Sequence, residues 1–145
     1  MVGNEGLDLH AVFSGPHEVD QSEWRVLMSL RSFQIIESVL KSYLCRANPA
    51  AYQATRVIEW PLGTLIKHFV KVGGRAELVS MLQAVRTDRN LIAHQALVCL
   101  DGGLAGVIGA DPVSLARLKE IDRRAMKAMG ALVGEYVRTA TRTSA

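Results

Sequence analysis

The spacing of apolar side chains constrains this chain more than any other feature. Between residues 21 and 44, Val26, Leu30, Phe33, Ile36, Val39, Leu40, Tyr43 and Leu44 recur at helical intervals. A helix turns once every ~3.6 residues, so these side chains gather on one face that must find a partner to bury it. Arg31, Gln34, Ser38 and Lys41 fall opposite, with Glu37 at the margin between the faces. Asp20, followed three residues on by Glu23, has the form of a capping box and places the helix start there. Asn48-Pro49 ends it, because proline disfavours helical backbone in the residue before it.

The same pattern repeats downstream. Residues 50–59 are ambiguous between a short helical turn and a loop. Pro61 suits the first position of a second helix, where its missing N–H is no loss, and Leu62, Leu65, Ile66, Phe69 and Val70 form its apolar stripe. Gly73-Gly74 closes that helix. A third starts near Ala76 and carries Leu78, Leu82, Val85 and Ile92 on its buried side. Asp101-Gly102-Gly103 is a turn signal, and residues 97–100 and 104–108 are short enough to pair as a hairpin. Asp111-Pro112 reads as the start of a last helix reaching about residue 139, with Leu115, Leu118, Ile121, Ala125, Met129, Leu132 and Tyr136 on its apolar face. Its polar face carries Arg117, Lys119, Arg123, Arg124 and Lys127, a pattern that fits a solvated surface.

These elements predict an all-α fold, an up-and-down bundle of four main helices. Residues 1–20 form an irregular lead-in, 21–139 a single helical domain, and 140–145 a tail. No apolar run reaches membrane-spanning length, and the first twenty residues lack the pattern of a signal peptide. Cys45 and Cys99 fit no metal or redox spacing, so reduced thiols in the cytoplasm are expected. The four histidines are scattered without ligand spacing, so neither metal nor cofactor is expected. The net charge of +3 permits an anionic partner without requiring one.

One stretch carries chemistry. Arg86 to His94 places Arg89, Asn90 and His94 among apolar or small residues at the end of the third helix. Histidine moves protons near neutral pH, and arginine binds phosphate through a charged fork of donors. Together they are the minimum for cleaving RNA without metal: a 2′-hydroxyl attacks its neighbouring phosphorus while a base and an acid move protons and a cation stabilises the phosphorane. Asn90 and His94, four residues apart, share a helix face with Thr87. Arg89 is about 140° away from His94 on an ideal helix, so it joins them only through its length or a local break. One histidine per chain supplies one proton-transfer group, and a twofold dimer would supply two.

The run Arg89-Asn90-Leu91-Ile92-Ala93-His94 resembles the R-x4–6-H motif of the HEPN-domain family, in the variant with a polar residue after the arginine. The upstream run Pro61-Leu62-Gly63-Thr64-Leu65-Ile66, with Gly73-Gly74, Leu78 and Leu82, is similar to the helix preceding that motif. The resemblance implies a dimeric helical bundle and a metal-independent endoribonuclease, acting as a toxin or in defence, with a protein antitoxin as partner. It assigns catalysis to Arg89 and His94, aided by Asn90. Arg86, Thr87 and Lys67 are candidates for holding RNA. The alternative is an inactive helical module that binds RNA or protein. The tyrosine that some members carry after the histidine is replaced here by Gln95-Ala96-Leu97.

Overall fold

The computed structural model describes residues 18–100 and 113–143. They form helices α1 (Glu18–Ala47), α2 (Ala54–Val57), α3 (Leu62–Lys71), α4 (Ala76–Leu100) and α5 (Leu115–Thr143), with no strand among the described residues. None of these helices is long and apolar enough to cross a membrane.

Side-chain contacts fix the helix directions. Along α1 and α5 the partners rise together: Arg25 meets Asp122, Ser32 meets Met126, and Arg46 meets the Tyr136 carbonyl. These two helices therefore run parallel. Along α4 and α5 the order reverses, with Arg75 near Glu135 and Asp88 on Arg124, so α4 is antiparallel to both. α3 and α4 form a hairpin in which the first turn of α3 meets Arg86. The main helices thus run up, up, down, up, a departure from the strict alternation expected. Residues 48–61 cause it: they descend beside the end of α1, where Lys41 donates to the Ile58 carbonyl at 2.8 Å, and release α3 in the direction of α1.

The core lies where these helices meet. Phe33, Ile36, Leu40 and Leu44 of α1 are buried with Leu65, Ile66 and Phe69 of α3, Leu82 and Val85 of α4, and Ile121 and Leu132 of α5. Tyr43 packs its ring edgewise on Phe69, with centroids 5.1 Å apart. Burying each such side chain contributes about 1.5–3 kcal/mol, which outweighs the weak helix preference of the β-branched members. Leu30 and Val70, expected on buried faces, are exposed because each lies at the edge of its stripe, outside the helix contacts.

Several boundaries differ from the sequence reading. α1 starts two residues before Asp20, so Asp20 lies inside the helix. It ends one residue before Asn48, and Asn48 Oδ1 accepts from the Ala51 N–H at 3.1 Å to build the turn around Pro49. Pro61 flanks α3 instead of starting it. Its φ of −70° suits a helix but its ψ of 160° is extended, and its carbonyl accepts the first helical bond from Leu65. Gly73, at φ +87°, lets the chain leave α3 through paired bonds from Gly73 to Val70 and Gly74 to Phe69, a left-handed cap that other residues adopt at a penalty. α4 continues to Leu100, so residues 97–100 are helical and not a strand; the hairpin's other half, 104–108, lies outside the described residues. Asp111-Pro112 also lies outside them, and the last helix is capped later, by Ser114, whose Oγ accepts from the Arg117 N–H at 3.2 Å. α5 runs on through Thr143, taking in most of the expected tail.

Candidate functional site

The turn of α3 and the middle of α4 enclose the candidate site. Leu62 and Leu65 bury the start of α3 while Val85 and Ile92 bury the inner side of α4. That leaves the polar residues between them on the outer side of the hairpin. The result is a cleft of about 410 Å³ lined by Pro61, Leu62, Gly63, Thr64, Lys67, Gln83, Arg86, Arg89 and Asn90.

The cleft is electropositive. Lys67, Arg86 and Arg89 line it and no carboxylate does. Arg86 lies flat against the backbone of α3: a Cβ built on Gly63 would sit 2.9 Å from its Cζ and Nε. Glycine at 63 is therefore what admits the guanidinium. Backbone adds to the field. The first helical bond of α3 is donated by Leu65, so the N–H groups of Leu62, Gly63 and Thr64 precede it, and Pro61 offers no side-chain acceptor to cap them. Such groups carry partial positive charge, which a neighbouring guanidinium reinforces instead of neutralising.

Arg89 is held from outside the cleft. Its Nε lies 3.4 Å from Oε1 of Glu37, the marginal residue of α1. The adjacent carboxylate, Asp88, points away to α5, where Arg124 grips both its oxygens at 2.8 and 2.9 Å. Asp88 is buried, and this fork fixes the rotation of α4 that turns Arg89 and Asn90 toward the cleft. Arg124 thus leaves the solvated face expected for it.

The expected site residues divide accordingly. Arg86, Arg89, Asn90 and Lys67 converge on the cleft. Thr87 turns back to its own helix, donating to the Gln83 carbonyl at 3.2 Å. His94 is exposed and is not part of the cleft lining. α4 is unbroken through the motif, so no kink carries Arg89 and His94 onto one face. His94 lies one turn past Asn90 on the same side of the helix, and no hydrogen bond or ion pair engages it among the described residues. Sequence reasoning missed Gly63, Thr64 and Gln83 as cleft residues, although the small pair Gly63-Thr64 just after Pro61-Leu62 at a helix start was a visible signal. Glu37, at the margin of its helix and within possible reach of the motif by sequence, is the carboxylate that meets Arg89.

Among the described residues no group of three or more His, Cys, Asp or Glu side chains is placed to hold a metal. His68, on α3 beside Lys67, is held below the ordinary imidazole pKa by partial burial first, then by Lys71 and Lys67. No family model, curated protein or solved structure matches the chain.

Proposed function

We propose that this chain is a HEPN-like, metal-independent endoribonuclease of the toxin or defence kind, working in the cytoplasm as a homodimer and held in check by a protein antitoxin. The carrying observation is the cleft in which Lys67, Arg86, Arg89 and Asn90 converge without a lining carboxylate. A phosphodiester is the anion such a fork-bearing cleft suits best. In this reading Arg86 and Lys67 hold flanking phosphates. Arg89, steadied by Glu37, stabilises the charge that grows on the scissile phosphate, and Asn90 donates to the same group.

His94 supplies proton transfer. The RNA 2′-hydroxyl gives up its proton to an imidazole, its oxygen bonds to phosphorus, and the bond from phosphorus to the 5′-oxygen breaks as that oxygen takes a proton. The products are a 2′,3′-cyclic phosphate and a 5′-hydroxyl. His94 lies exposed outside the cleft lining, one turn past Asn90, and in a twofold dimer two copies would serve as base and acid.

Incubation with RNA in excess chelator tests this. Cleavage leaving cyclic phosphate ends, abolished by both His94→Ala and Arg89→Ala, is the expected result. Equal cleavage by either variant, or dependence on added metal, refutes it. A second reading, a module that binds RNA or a protein without cutting, is favoured by one observation: the binding groups share the cleft and His94 does not. RNA retention without any cleavage by the dimer would establish that reading instead.

A further inference from the structure

Beside the cleft lies an aromatic cluster that phosphate binding leaves unused. Trp60 and His68 stack, with ring centroids 4.5 Å apart and planes 22° apart. Tyr52 meets both edge-on, at 6.0 Å and 90° to Trp60 and at 5.3 Å and 82° to His68. Its hydroxyl lies within hydrogen-bonding distance, 3.1 Å, of Nδ1 of His68. Tyr52 is buried, whereas Trp60 and His68 keep part of their surface in solvent.

The cluster and the cleft share an edge at two points. Trp60 directly precedes Pro61, and His68 lies one helical turn after Thr64 on the same side of α3; Pro61 and Thr64 both line the cleft. Consecutive Cα atoms are ~3.8 Å apart, and residues four apart on a helix have Cβ atoms about 5–6 Å apart, so the rings border the cleft. The rings are also held in advance. Tyr52 fixes the tilt of both, and little side-chain freedom is left to lose on binding. Partial burial, with Lys71 and Lys67 nearby, holds the His68 pKa below its ordinary value and so favours the uncharged ring, which suits stacking on a neutral base.

We infer that Trp60 and His68 form a stacking platform for an unpaired base of single-stranded RNA whose adjoining phosphate occupies the cleft. This rests on the phosphate-binding reading above and adds the substrate class to it. A paired base is excluded, because in a duplex its faces are already stacked within the helix.

The test uses the full chain carrying Trp24→Phe, so that Trp60 is the remaining tryptophan of the two. Trp24 is exposed, which makes it replaceable. Probes are a short 2′-O-methyl oligoribonucleotide, which cannot be cleaved by 2′-hydroxyl attack, its abasic counterpart, and the matching duplex. The single strand is expected to quench Trp60 fluorescence. Trp60→Leu should weaken single-strand binding about tenfold, the usual scale for one stacked base, and leave abasic binding unchanged. Trp60→Phe should retain more affinity than Trp60→Leu. If the single strand fails to quench, or the abasic strand or duplex binds as tightly as the single strand, the platform is refuted; where Trp60→Leu does not fold, these measurements on the parent and Trp60→Phe decide. Arg86→Ala separates the two readings. Should it weaken all probes while Trp60 proves irrelevant, the cleft stands and the platform falls. Should it weaken none, the cleft reading fails and the platform with it.

Discussion

Gly63→Ala should make the protein more stable and bind RNA less well. The added methyl would lie 2.9 Å from Cζ and Nε of Arg86 and 3.1 Å from Nη2. Ordinary carbon contacts are about 3.5–4.0 Å, so the guanidinium must move by roughly 0.5–1 Å. Arg86 is exposed and the atoms met are the far end of a flexible side chain, so it swings outward at little penalty. The backbone at Gly63 has no positive φ, and alanine in a helix is favoured over glycine by about 0.5–1 kcal/mol. For a chain of this size that raises the melting temperature by about 1–4 °C. On the proposed reading the displaced cation would give up its phosphate, and the slope of log affinity against log salt should fall by about 0.7 for a single strand. Thermal melts and anisotropy titrations of an uncleavable oligonucleotide over several salt concentrations measure both quantities. An unchanged slope would show that Arg86 does not contact phosphate. A melting temperature lowered by several degrees would show that Arg86 is not free to move, and the account of Gly63 would be wrong.

Two further outcomes follow from buried and partly buried polar groups. Arg124→Met should destabilise the protein by about 2–3 kcal/mol in urea unfolding, because it strands a buried carboxylate. Asp88→Asn should lower stability by only about 1 kcal/mol, since Arg124, its side chain 38% exposed against 8% for Asp88, can turn to water. Equal losses would contradict the asymmetry. His68 predicts a pH effect of definite sign. Its folded pKa lies below the ordinary value of 6.5, so between the two values the unfolded chain binds the proton more readily. Its contribution to stability is therefore complete above pH 6.5 and is lost as pH falls toward the lower folded value. Melting temperature should decline over that interval, and His68→Phe, which keeps a ring beside Trp60, should flatten the decline. Parallel curves for the two proteins would refute the assignment.

Much of the helical layout was legible because its signals are local. The stripe from Leu62 to Phe69 and the glycine cap at Gly73 depend on residues within a few positions of each other, and both form as the sequence suggests. Helix ends were less legible where two caps competed. Ser114 caps the last helix, and Pro61 stands just outside α3 with extended ψ. Within the motif, Arg89 and Asn90 were readable as polar positions on a helix, yet nothing local said which carboxylate Arg89 would meet. Asp88 is its neighbour in sequence, but successive helical side chains diverge by about 100°, and Asp88 turns to Arg124 while Arg89 turns to Glu37.

By itself the sequence determined that this chain is built of amphipathic helices and that Arg86, Arg89, Asn90 and His94 sit on one of them, because periodicity and spacing are properties of a single segment. Tertiary structure alone decided what surrounds them. It ran α1 parallel to α5, laid the first turn of α3 against Arg86, and left His94 outside the cleft. The reason is that a cleft is made by two surfaces, and which second surface arrives depends on how residues 48–61 return the chain. No pattern within α4 encodes that.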